Sequence, residues 1–159
     1  MTIARCAPLL AAVLLSGGCH RGGAAPAAAP TAPAPMAAAA GPSLYSRLGG
    51  VDAIRAVVGD FLARVAADQR INAFFRGVDT DELAGKLTDQ ICQATGGPCH
   101  YAGRPMREVH ASMGISDADF DALVSDLVAA LDHFNVGAQE KGDLLGVLGG
   151  LRRQIVTKR

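Results

Sequence analysis

The stretch Arg104-Pro105-Met106-Arg107-Glu108-Val109-His110 has the clearest chemical potential in this 159-residue chain. A neutral imidazole on a helix can offer one ring nitrogen to a metal ion or a haem iron. Pro105 suits the first turn of a short helix that would carry His110, and Gly114 would close it. A solitary histidine is more often structural or exposed, so its meaning depends on the rest of the chain. His100 falls in a polar loop, and His133 falls near a helix end where positive charge is favourable. Both are expected at the surface.

The four cysteines divide by position. Cys6 and Cys19 belong to the N-terminal stretch, whereas Cys92 and Cys99 belong to the folded part. The turn Gly96-Gly97-Pro98 can fold the chain back and bring the second pair together. An even pair in an exported domain is expected to form a disulfide; one buried and one exposed thiol is the alternative. Cys99-His100 looks like the tail of a covalent haem-attachment motif. That motif needs a cysteine at the position of Gly96, so attachment through it fails.

The first residues read as an export signal. Arg5 supplies the positive start, and Pro8 to Leu15 form an apolar run too short to span a bilayer. Ser16-Gly17-Gly18-Cys19 resembles a lipoprotein cleavage box, with Cys19 becoming the lipidated first residue; ordinary cleavage near Ala24-Ala25 is the alternative. Either route exports the domain, to the periplasmic side of a bacterial membrane. Residues 20–42 are almost only Ala, Pro and Gly and read as a tether unable to bury a core. Residues 43–159 then form one domain. They hold all 15 acidic groups and 13 of the 15 basic ones, a net charge of −2. A weakly acidic domain lacks the electrostatic footprint of a nucleic-acid binder.

The domain reads as helical throughout. Ser43 can cap a short turn over residues 44–48, stopped by Gly49-Gly50. Ile54, Val57, Val58, Phe61, Leu62 and Val65 fall on one face of a helix over 51–68. Phe74 and Phe75 precede Gly77. Asp79 or Thr80 can cap a helix carrying Leu83, Leu87 and Ile91 as one narrow stripe, with Glu82 placed for a capping box and Lys86 at its edge. Ser116 and Asp119 begin a helix whose stripe runs Phe120, Leu123, Val124, Leu127, Val128, Leu131 and Phe134. A last helix is expected over 144–155, loosened by Gly146, Gly149 and Gly150. No segment alternates with strand period, so the domain is all-α.

The order of these features resembles the truncated haemoglobins of group I. It comprises the double glycine, Asp60-Phe61, Phe74-Phe75, Gly96-Gly97-Pro98, and Tyr101-x-Gly103-x-x-Met106-x-x-x-His110. The resemblance covers about residues 43–157. It implies a two-over-two helical sandwich around one b-type haem. In that reading His110 matches the iron ligand, and Phe75 matches the aromatic on the haem face. Leu62 falls where many members carry a tyrosine. Leu83 and Leu87 fall on the ligand side, the second often glutamine in the family. Lys86 matches an edge position suited to a haem propionate, and Met106 and Val109 lie along the proximal side.

With leucine at 62, 83 and 87, the pocket lacks the family's usual donors, and Gln90 on the same helix is expected to face solvent. A charge-assisted hydrogen bond is worth roughly 1.5–3 kcal/mol, so its absence speeds oxygen loss by about one to two decades. Nitric oxide and carbon monoxide suit such a pocket better. The resemblance therefore implies a monomeric binder of diatomic gases, with nitric oxide oxidation supported by an external electron donor as one activity. A haem-based electron-transfer or gas-sensing module is the alternative. A structural helical lipoprotein without haem is a third reading, against which His110 and Phe75 argue. The only membrane association expected is a lipid anchor at Cys19.

Overall fold

The computed structural model describes residues 41–158. The export signal, Cys19 and most of the tether lie outside the described residues. Seven α-helices follow: α1 Leu44–Arg47, α2 Gly50–Ala67, α3 Thr80–Ala94, α4 Met106–His110, α5 Asp117–His133, α6 Ala138–Gly149 and α7 Arg152–Ile155, with a 3-10 turn at Asn72–Phe75. The described residues contain no strand.

The predicted apolar face of α2 is buried in full: Ile54, Val57, Val58, Phe61, Leu62 and Val65. Burying each such side chain contributes about 1.5–3 kcal/mol. That face lets α2 pack on both α3 and α5, with α6 completing a second layer beside α5. Gly49 and Gly50 have φ of 93° and 82°, so the glycine pair supplies the left-handed corner between α1 and α2. Tyr45 then links three elements: its N–H donates to the Thr95 carbonyl at 2.9 Å, and its hydroxyl accepts from the Val51 N–H at 3.1 Å.

Helix starts follow local chemistry. Asp79 caps α3, accepting from the Glu82 N–H at 2.9 Å. Glu82 does not complete the box; its carboxylate pairs with Lys86 one turn on. At α5 the box is reciprocal: Ser116 Oγ accepts from the Asp119 N–H, and Asp119 accepts from the Ser116 N–H. The Ser116 hydroxyl and N–H hold the Asp119 carboxyl below its ordinary range.

Two expectations change. The single helix expected over 144–155 is two helices, and the first begins earlier, at Ala138. Ala-Gln-Glu-Lys has good helix formers but no apolar periodicity to mark the start, and Gly149-Gly150 breaks the run. Phe134 leaves the stripe: it caps α5 with 42% exposure and stands tilted beside His133.

Cys92 and Cys99 are joined by a disulfide, with Cα atoms 5.7 Å apart. It ties the end of α3 to the loop before α4. Gly97 makes the turn possible. A Cβ there would lie 2.5 Å from the Tyr45 ring, 2.7 Å from Cys92 Sγ and 2.8 Å from the Cys92 carbonyl oxygen, leaving no room for a side chain.

Candidate functional site

α3 packs on α2, whereas α4 packs on α7. A cavity of about 380 Å³ is lined by residues of α3 and α4, and its remaining walls come from α2, α5, α6 and α7. That volume is within the ~300–1,000 Å³ usual for cofactor clefts. α3 contributes Leu83, Lys86, Leu87, Gln90 and Ile91; α4 contributes Met106, Val109 and His110. Phe61, Phe75, Phe120, Leu123, Val124 and Leu127 form further apolar wall, and Leu148, Leu151 and Ile155 complete it.

Each side of the cavity belongs to a different packed cluster. The larger core supplies Phe61, Ile91 and Leu127. A smaller one, Ile115, Phe120 and Ile155 with Met106, Met113, Val124 and Leu151 against it, surrounds α4 and α7. The chain after α7 is pinned to this second cluster, because the Thr157 and Lys158 N–H groups both donate to the Ile115 carbonyl at 2.9 Å. Arg152 bonds Asp117 and Asp121 at 2.8 Å each and lies 5.0 Å over the Phe120 ring, fixing that wall residue from outside.

His110 is half-buried in the wall, and its Nδ1 lies 2.7 Å from the Met106 carbonyl oxygen. A carbonyl only accepts, so Nδ1 carries the proton and Nε2 keeps the lone pair that a metal needs. Such a bond on the far nitrogen is the usual means of orienting a ligating histidine. Among the described residues, no group of three His, Cys, Asp or Glu side chains lies together as a metal cage. One imidazole in an apolar cleft is a donor set that fits an iron already held by a porphyrin.

The polar groups of the wall include Asp79, Glu82, Lys86, Tyr101 and Arg104. Lys86 is 51% exposed and paired with Glu82. An exposed pair of this kind is worth about 0–1 kcal/mol, so Lys86 is free to exchange partners. Arg104 is exposed and makes no ion pair among the described residues. Two cations on the wall fit a cofactor that carries carboxylates.

The structure therefore brings Phe75, Leu83, Lys86, Leu87, Met106, Val109 and His110 to one cavity. Leu62 is not on its wall. It lines a neighbouring cavity of about 270 Å³ that shares Phe75, Val78 and Leu83 with the first. Phe61 lines the main cavity instead, because successive helix residues point about 100° apart. Gln90, expected to face solvent, lines the main cavity and is half-buried.

A sequence profile described as bacterial-like globin matches residues 43–157. The chain belongs to this family. The globin is 36% identical over 115 residues to the group 1 truncated haemoglobin GlbN of Mycolicibacterium paratuberculosis, covering 72% of this chain and 85% of that one. It is 33% identical over 116 residues to the group 1 truncated haemoglobin of Tetrahymena pyriformis, covering 73% and 96%. A crystal structure of the Tetrahymena pyriformis protein in its Fe(III) form superposes with a TM-score of 0.71 at 32% identity, covering 74% of this chain and all of that one. Variants solved for that protein replace one tyrosine and two glutamines, which lie 21 and 25 residues after the tyrosine. Leu62, Leu83 and Leu87 have the same spacing in this globin.

The architecture is thus the two-over-two helical globin fold, α2 and α3 layered with α5 and α6. The globin binds haem, and through it diatomic gases.

Proposed function

We propose that this globin is exported, holds its haem through His110 and turns over nitric oxide rather than storing oxygen. The observation that carries the reading is the tied imidazole, with Nδ1 bonded to the Met106 carbonyl at 2.7 Å and Nε2 available. The bound haem would supply an iron with one position open to a small ligand. Met106 fixes the ring, and Lys86 and Arg104 hold the cofactor's carboxylates. Phe75 would pack on its face, and Met106 and Val109 would fill the His110 side, since all three line the cavity. Leu83 and Leu87 would close the ligand side with aliphatic surface. Leu83 and Leu87 would admit nitric oxide and oxygen without desolvating a polar side chain of their own.

The balanced conversion is nitric oxide plus dioxygen plus one electron to nitrate. The electron comes from an external donor, and the expected form is a monomer. The absorbance spectrum of purified protein, ferric and then ferrous with and without carbon monoxide, tests the haem assignment. Nitric oxide consumption with oxygen and a chemical reductant tests turnover. Carbon monoxide binding without nitric oxide consumption would support an electron-transfer or gas-sensing module instead.

Leu87→Gln puts a carboxamide on the cavity wall, so oxygen release should slow by about tenfold, the effect of one hydrogen bond near 1.4 kcal/mol. Carbon monoxide release should change by less than about twofold, since that ligand is less polar when bound. Stopped-flow release of both gases checks this, and equal slowing of the two would point to steric closure instead.

Export rests on the Arg5-to-Cys19 pattern. Expressed in a bacterium, the full chain should incorporate labelled fatty acid, and Cys19→Ala should abolish the label while leaving haem binding intact. An unlabelled native chain would select ordinary cleavage.

A further inference from the structure

We infer that Gln90 is the hydrogen-bond donor that sets this globin's preference among bound gases. It would take over from the three leucines one turn further along α3. The inference rests on the gas pocket proposed above.

Leu83, Leu87 and Gln90 line the same cavity from the same helix. The spacings of four and three residues keep them on one face, one turn apart. At the N-terminal end of this stripe Leu83 is half-buried, with the exposed Glu82 and Lys86 beside it. At the other end Ile91 is 7% exposed. Gln90 therefore stands at the end of the stripe beside the buried Ile91 and faces the same cavity.

The other donors on the wall are spoken for or exposed. Lys86 Nζ is 2.5 Å from Glu82 Oε1. The Tyr101 hydroxyl donates to the Arg104 carbonyl at 3.1 Å. His110 Nδ1 is bonded to Met106, and the Arg104 side chain is exposed. The Gln90 carboxamide has no hydrogen-bond partner among the described residues, and the residue is half-buried on the cavity wall. Its amide is not among the buried polar groups that lack a partner, so a bound ligand can reach it. A ligand carrying partial negative charge, oxygen above all, would satisfy its N–H, whereas carbon monoxide would gain little. The device is an unpartnered neutral donor beside Leu83 and Leu87 on α3, selecting polarised ligands.

Two variants of the full chain test this at pH 8. Gln90→Leu removes all polarity. Gln90→Met keeps the length and the packing but has no N–H to donate. Haemin titration of each apoprotein should keep the native stoichiometry. Oxygen release should accelerate by about tenfold in both, a change of 1.4 kcal/mol, while carbon monoxide release stays within about twofold. The carbon monoxide stretching frequency should shift in both, since it reads the local field without turnover. If Gln90→Leu alone changes, the effect is packing and the inference is overturned. If both variants take up haem and release oxygen at the native rate, this inference fails while the haem assignment stands. A native chain that takes up no haem overturns both.

Discussion

His110→Ala should lose most of its haem on purification, and any that remains should show an altered ferrous spectrum. The variant removes the imidazole whose Nδ1 is held by the Met106 carbonyl, and no other histidine among the described residues lines the cavity. His100 and His133 are exposed and belong to other surfaces. Deleting an outer-shell partner of a metal ligand costs about 10–100-fold in affinity, and deleting the ligand itself should cost more. The apolar walls remain, so weak uptake without the nitrogen bond is compatible with the fold. Haem transfer to an excess of a competing apoglobin measures the change. Native retention with an unchanged ferrous spectrum would mean that another group ligates the iron.

Breaking the Cys92–Cys99 bond should lower stability by about 2–3 kcal/mol, the value expected for so short a loop. For a domain of this size that is a fall of about 10 °C in melting temperature. Cys92→Ala with Cys99→Ala and reduction of the native chain should give falls of similar size. The second effect is on the loop. Between Cys99 and α4 the chain is fastened to α3 by one further bond, from the Tyr101 N–H to Gln93 Oε1 at 2.6 Å. Without the disulfide, the segment leading to His110 depends on that bond, so haem loss should quicken as well. Unreduced peptide mass should show the pair lighter by two hydrogens. Two freely alkylated thiols in exported material, or an unchanged melting temperature after reduction, would contradict this account.

The helices were legible where side-chain periodicity and end chemistry agree. The α2 face and the Ser116–Asp119 start of α5 have both, and the structure keeps them. The start of α6 was not legible, because Ala138 to Lys141 form a helix without an apolar repeat. The site was legible at His110 and along α3, where order along the chain identifies position. It was illegible at Phe61, Gln90 and Leu123. An apolar stripe records which face turns inward, but not whether it meets another helix or a cofactor. Leu62 and Phe61 are neighbours on one buried face, yet they line different cavities. For Gln90, polarity suggested water, and only its three-dimensional neighbours show an apolar wall around it.

The cavity draws its wall from residues as far apart in the sequence as Phe61 and Ile155. A chain emerging from the ribosome therefore presents half of a binding cleft long before the other half exists. Arg152 cannot brace Phe120, and Ile155 cannot cover α4, until more than forty residues have followed His110. Capture in the finished cleft therefore waits for the whole domain to be synthesised. For the exported chain proposed above, threading unfolded through a membrane would place that capture on the far side. The cell would then have to deliver haem, and not only electrons, to that compartment.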